Sequence, residues 1–160
     1  MELAQFYGFA LFYIKKFNAW AGEFAPNAVA DHICYKCSSS REFEDIRQIL
    51  HSEVEFEHTS LISGRQITLL KLKRPLPTDL GGIQVVELCD QKPDGRQQSG
   101  FAHIEIYSPG RTAHKLAEEL VRSGVKLTLN SKPHRTTYEI RFCDAITIRI
   151  EDEPLMATLT

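Results

Sequence analysis

Seven side chains in this sequence of 160 residues have the types and spacing to do chemistry together: His32, Glu87, His103, Glu105, Tyr107, Arg141 and Arg149. Strand parity sorts them, because successive side chains in a strand point to opposite faces of a sheet. In the last strand-like segment Ile146, Ile148 and Ile150 share one face, and Thr147, Arg149 and Glu151 share the other. By the same rule Ile104 and Ile106 turn one way, and His103, Glu105 and Tyr107 the other. Tyr138, Ile140 and Phe142 oppose Thr137, Glu139 and Arg141. A face carrying His, Glu, Tyr and Arg is too polar for a packed core, so it should line a wet pocket.

The elements that must position these residues form a pattern that occurs twice. Residues 31–37 alternate as a strand, and Ser39 with Glu42 stands at capping-box spacing before the apolar positions Phe43, Ile46, Ile49 and Leu50. Strands over 54–59, 66–72 and 83–89 follow, with Pro75 and Pro77 in a loop. After the polar linker 90–100 the series restarts. Residues 102–107 form a strand, and Thr112 caps a helix carrying Ala113, Leu116, Ala117, Leu120 and Val121 that stops at Gly124. Strands over 125–129, 136–142 and 146–150 complete it. The copies superpose at an offset of 71, with His32 on His103 and Val54 on Val125, an internal repeat that decides the architecture.

A histidine thus opens the first strand of each βαβββ unit, and Glu87 lies in the fourth strand of the first. If the units pair about a pseudo-twofold axis, His32, Glu87 and His103 converge in one cleft. Two neutral imidazoles and a carboxylate suit Zn, Ni, Mn or Fe(II), with open positions for water or substrate.

The segments Ala30-Asp-His-Ile33, Gly64-Arg65, Gln84-Val-Val-Glu-Leu88 and Gly100-Phe-Ala-His-Ile-Glu105, in this order, resemble the vicinal oxygen chelate superfamily of glyoxalase I, the bleomycin resistance proteins and the extradiol dioxygenases. More narrowly, the chain from about Phe24 onward resembles the YecM-like proteins. The resemblance implies an α+β fold: two paired βαβββ modules (28–92 and 100–153) forming a cleft-shaped mixed β-sheet within a single domain 28–160. An extra N-terminal helical segment occupies 1–27, its helix over about 2–20 and its end marked by residues 22–27 with Pro26. It also implies a divalent metal ion bound by first and fourth strands, with His32, Glu87 and His103 at three of the four ligand positions. At the fourth, where glyoxalase carries a glutamate, stands Arg149, which cannot ligate a cation. Either water completes a three-ligand centre or Glu151 reaches in.

Arg149, with Arg141 nearby, suits the binding of a substrate carboxylate by a bidentate bond. A 2-oxo or 2-hydroxy acid is the expected substrate class, with Glu105 or Tyr107 moving the proton. Isomerase, lyase and non-haem iron dioxygenase chemistry all fit. The competing reading is a non-catalytic binder that sequesters a small ligand, with Arg149 neutralised by Glu139 or Glu151.

The remaining features narrow the class. With 19 basic and 21 acidic residues the formal net charge is −2, and no basic run exceeds Lys71, Lys73 and Arg74, so no nucleic-acid partner is expected. The longest uncharged apolar run, residues 6–14, is well short of the roughly 20 that span a bilayer, so no membrane partner is expected and the placement is cytoplasmic. The four cysteines fit reduced thiols; Cys34 and Cys37, three apart on a strand, face opposite ways and are poorly placed to share one metal. His51, His58, His114 and His134 lack chelate spacing and are surface or loop residues, and Gly81, Gly82 and Gly95 have no phosphate-cradle context. In the N-terminal helix, Phe9, Phe12 and Tyr13 widen the apolar face beyond one packing contact, which suits a cap over the pocket or a homodimer partner, but plain packing on its own domain is the expected outcome, because aromatic stripes are commonly core.

Overall fold

Local signals set the helix ends as expected. The Ser39 hydroxyl accepts the Glu42 N–H at 3.1 Å to start α2 (Ser40–Leu50), and the Thr112 hydroxyl accepts the Lys115 N–H at 3.2 Å to start α3 (Ala113–Arg122). The Glu42 carboxylate does not reach back to its cap but takes the Ser38 N–H at 2.7 Å and the Tyr35 hydroxyl at 3.0 Å. The structure, a computed structural model, describes residues 1–133 and 135–159.

The strands are β1 (Val29–Lys36), β2 (Val54–Ile62), β3 (Arg65–Leu76), β4 (Ile83–Cys89), β5 (Gly100–Tyr107), β6 (Thr128–Lys132), β7 (Arg135–Arg141) and β8 (Thr147–Ile150). They form one mixed sheet in the order β2-β3-β4-β1-β5-β8-β7-β6. β1 and β5 pair antiparallel at its centre, and each pairs parallel with the last strand of its own module, β1 with β4 and β5 with β8. This is the α+β arrangement of two βαβββ modules with a leading helix that the repeat implied.

Three boundaries differ from the sequence reading. β3 runs through Pro75 to Leu76 instead of ending in a loop. β2 pairs only as far along as Leu72, so the missing N–H of Pro75 leaves no ladder bond unmade on that side. β6 begins at Thr128 and not at 125, because Val125 is buried and its N–H closes the end of α3 on the Leu120 carbonyl. The offset of 71 therefore holds for the first strands and fails at the second. Helix α1 (Leu3–Phe24) extends beyond the expected end.

One face of the sheet is covered by all three helices. Ile33, Ile104, Ile106, Ile148 and Ile150 are fully buried there with Phe43, Ile46, Leu116 and Leu120 of α2 and α3. The parity assignment of the isoleucines is thus the observed one. α1 packs on this same face: Phe6 lies 5.6 Å from Tyr35 and 5.2 Å from Phe101 between ring centres, and Phe17 meets Phe142. The helix does not cap the pocket, which opens on the other face. Phe9, Leu11 and Phe12 stay exposed.

Because Phe6 is wholly buried and Phe9 is about half exposed, Phe6→Ala should cost about 3–5 kcal/mol in denaturant unfolding and Phe9→Ala within about 0.5 kcal/mol. Equal, small effects would mean that α1 is not part of the core.

Candidate metal centre

The open face is organised in rows set by strand register. His32 of β1 stands opposite Glu105 of β5, and Glu105 stands opposite Arg149 of β8, which in turn pairs with Glu139 of β7. One row along, Glu87 of β4, Cys34 of β1, His103 of β5 and Thr147 of β8 are neighbours. By the symmetry of the modules Cys34 corresponds to Glu105 and Glu87 to Arg149.

His32, Glu87 and His103 come together: one donor atom from each lies within 4.8 Å of the others. The two imidazole rings are 5.6 Å apart and nearly perpendicular. Nε2 of His103 is 3.9 Å from Oε1 of Glu87, and Nε2 of His32 is 3.7 Å from Oε2 of Glu105. His32, His103 and Glu105 are buried, and Glu87 is partly exposed to the cleft.

The histidines are aimed by β-bulges. Between Ala30 and His32 the β1–β5 register slips by one residue, leaving Asp31 extra; between Cys34 and Tyr35 it slips again, leaving Ala102 of β5 extra. Both bulge residues immediately precede a site histidine, in keeping with the use of bulges to re-aim side chains. At Asp31 the bulge lets the carboxylate reach its own neighbour: Oδ2 lies 2.7 Å from Nδ1 of His32 and also accepts the Leu155 N–H at 2.9 Å. A proton on Nδ1 held by Asp31 leaves the Nε2 lone pair directed into the site, the arrangement that orients metal-bound histidines. Nε2 of His32 is buried and makes no hydrogen bond, and such an atom is costly unless something charged or polar meets it. A cation fits there. Ala102 offers no carboxylate at the equivalent position.

Electrostatics agree. The cleft, of about 1290 Å³, is lined by six carboxylates against four lysines and arginines. Burial works to lower the His32 pKa, but the hydrogen bond to Asp31 and the charges of Glu105, Glu87 and Asp31 outweigh it and push the group up to about 9. The fold therefore favours positive charge at this point, as a proton or as a metal ion. Beside it, the Cys34 thiol is pushed well above the usual range by its hydrogen bond with Cys89, by burial and by the charge of Glu87.

The other expected site residues divide. Glu105, Arg149 and Glu151 line the cleft. Arg149 donates through Nε to Oε1 of Glu139 at 3.0 Å, the ion pair that competed with a ligand-binding role. Tyr107 pairs with Val29 at the far end of β5, and Arg141 is exposed at the end of β7; neither is among the cleft-lining residues. Of the remaining histidines, His51, His58 and His114 are exposed, and His134 lies outside the described residues. Cys37 sits in the core while Cys34 faces the cleft, so the pair is split as parity required, and all four cysteines are unbridged. Two residues were missed. Asp31 reads as the wrong-facing neighbour of His32 until the bulge is known, and Cys89 meets Cys34 only through the parallel β1–β4 register. No helix among the described residues is long and apolar enough to cross a membrane.

Comparison with known proteins accords with this architecture. The family model described as YecM protein matches residues 13–155. Protein YecM of Escherichia coli (strain K12) is 32% identical over 81 residues, which are 51% of this chain and 43% of that protein, so the match spans less than half of the relative's length. A solved structural-genomics protein, EC4020, superposes with a TM-score of 0.68 at 24% identity, over 92% of this chain and 87% of its own. A variant of methylmalonyl-CoA epimerase from Streptomyces coelicolor, in complex with 2-nitronate-propionyl-CoA, superposes with a TM-score of 0.51 at 18% identity, over 78% of this chain and 96% of its own. At these identities the two structures speak for the fold.

The raised His32 pKa has a signed consequence for the metal-free chain. The folded state holds the proton up to about pH 9 and the unfolded state releases it near 6.5. Its contribution to stability is full below about pH 6.5 and is lost as the pH rises through about 9. Denaturant unfolding across that window should show a decline on the order of 3 kcal/mol that His32→Gln flattens. Identical pH slopes in the two proteins would show that His32 is neutral when folded.

Proposed function

The chain belongs to the YecM protein family, and from that premise we propose that it is a metal-binding protein of the vicinal oxygen chelate type, with His32, Glu87 and His103 holding one divalent cation above the open face of the sheet. The observation that carries this reading is the convergence of those three donors around a buried His32 Nε2 that makes no hydrogen bond. Imidazole and carboxylate donors suit Zn, Ni, Mn or Fe(II). When bound, such an ion supplies Lewis acidity to an oxygen of a chelating ligand.

The chain's own groups then take distinct parts. Asp31 fixes the tautomer and plane of His32 through the 2.7 Å contact. Glu105, buried and 3.7 Å from Nε2 of His32, is the carboxylate placed to take or return a proton of the ligand. Arg149 has its plane set by the bond from Nε to Glu139, and its fork is the group we assign to a ligand carboxylate. The ligand class is a small-molecule acid, a 2-oxo or 2-hydroxy acid or an ester of one. The cleft of about 1290 Å³ exceeds what such an acid alone fills, leaving space for a substituent. The fold neighbour, a methylmalonyl-CoA epimerase in complex with 2-nitronate-propionyl-CoA, supports a small molecule as the ligand class. Sequestration of such a ligand without turnover would use the same residues, and the Arg149–Glu139 ion pair is what favours that second reading.

Metal analysis tests the proposal directly. Protein stripped with a chelator and reloaded with Zn should hold an ion that His103→Ala loses, and Asp31→Asn should weaken binding by roughly 10–100-fold. Metal affinity unchanged in both variants would remove the His32–Glu87–His103 centre from consideration. Turnover of a supplied 2-hydroxy or 2-oxo acid, abolished by Glu105→Gln, separates the enzyme from the binder.

A further inference from the structure

Next to the histidines lie two thiols that the proposed function does not use. Cys34 and Cys89 are buried on the open face of β1 and β4, with their sulfurs 3.8 Å apart, and the Cys89 Sγ is 3.6 Å from Oε1 of Glu87. One donor atom from each of Cys34, Glu87 and Cys89 lies within 4.8 Å of the other two. Both cysteines line the cleft.

These spacings fit a chelate better than a disulfide. Cys34 pairs with Glu87, and Cys89 with Lys36, across parallel β1 and β4, which makes the cysteines diagonal neighbours. Diagonal Cα atoms in a sheet lie roughly 7–8 Å apart, beyond the usual disulfide span of roughly 4.4–6.8 Å. A tetrahedral zinc ion with sulfur ligands at about 2.3 Å and an oxygen ligand at about 2.1 Å sets the sulfurs about 3.8 Å apart and sulfur and oxygen about 3.6 Å apart. The observed 3.8 and 3.6 Å are edges of that size.

We propose that Cys34, Cys89 and Glu87 form a second metal site for a thiophilic divalent cation of the zinc class, adjoining the histidine centre and sharing Glu87 with it. Binding breaks the two S–H bonds heterolytically: each sulfur keeps its electron pair and donates it to the metal, and the two protons pass to water. Two thiolates and a carboxylate then face the dication, with a fourth position open to the cleft. Glu87 is suited to sharing because the same Oε1 lies 3.6 Å from the Cys89 sulfur and 3.9 Å from Nε2 of His103. The site rests on the thiol and carboxylate distances, not on the histidine reading, and only Glu87 is common to both.

The test uses the full chain, reduced and stripped with a chelator. Titration with Co²⁺ should produce a thiolate-to-metal charge-transfer band in the near ultraviolet, and X-ray absorption of the Zn²⁺-loaded protein should show sulfur at about 2.3 Å. Cys34→Ser and Cys89→Ser should each lose the band and one equivalent of metal. His32→Ala should keep the band, and a band kept there supports the thiolate site whether or not the histidine centre binds an ion. A Zn²⁺-saturated wild type with only nitrogen and oxygen neighbours overturns the proposal, as does a band of full intensity in the Cys34→Ser, Cys89→Ser double variant. The measurement on wild-type protein decides the matter even if the serine variants fail to fold.

Discussion

The antiparallel register of β1 against β5 is the constraint on which the site depends. It joins the two modules at the centre of the sheet and places His32 opposite Glu105 and Cys34 opposite His103. A slip of one residue in β1 would turn His32 and Cys34 into the core and bring Ile33 to the open face. The register is therefore held by the same isoleucines that fill the helix-covered side, all of them fully buried. Core packing and site assembly are two faces of one alignment, and neither can shift without the other.

Within that alignment the two bulges supply what a regular ladder could not. In an unbroken strand Asp31 and His32 point to opposite faces, and the carboxylate could not hold the ring of its neighbour. The extra residue at Asp31 removes that restriction, and the Leu155 N–H on the same oxygen ties the C-terminal turn (Leu155–Leu159) to the site. Burying an imidazole among Asp31, Glu87 and Glu105 is unfavourable without positive charge, which is why the pKa of His32 rises despite its burial. The same carboxylates that hold a proton there in the metal-free chain make a strong seat for a dication, and a cation would displace that proton.

Much of this was legible in the sequence, because alternation and repetition are local or periodic signals. Parity alone put His103, Glu105 and Arg149 on one face and the isoleucines on the other, and the offset of 71 identified His32 with His103. The capping positions Ser39 and Thr112 marked two helix starts correctly. What failed depends on partners distant in the chain. Pro75 looks like a strand breaker unless one knows that β2 does not reach it. The meeting of Cys34 with Cys89 follows from a parallel pairing across a crossover, which no spacing in the sequence encodes. The width of the aromatic face of α1 leaves a lid or a partner contact open beside the plain packing expected of it, and Tyr35 and Phe101, on the opposite side of the sheet from the cleft, take its buried stripe as plain packing.

The repeat also explains the uneven chemistry of the cleft. Equivalent positions in the two modules carry different groups: Cys34 corresponds to Glu105, Glu87 to Arg149, and the bulge residues are Asp31 and Ala102. The first module thus contributes thiols, carboxylates and an oriented histidine, all groups that attract a cation. The second contributes a histidine, a buried carboxylate and an arginine already paired with Glu139. A symmetric scaffold with a symmetric donor set would hold a metal on its axis and treat both ends of a ligand alike. Here the cation-attracting side and the guanidinium side differ, so under the proposed function a bound acid would have one orientation, with its carboxylate at Arg149 and its remaining oxygens towards His32 and Glu87. That polarity arises from divergence at a few register-matched positions, while the isoleucine core beneath the two first strands keeps the frame common to both modules.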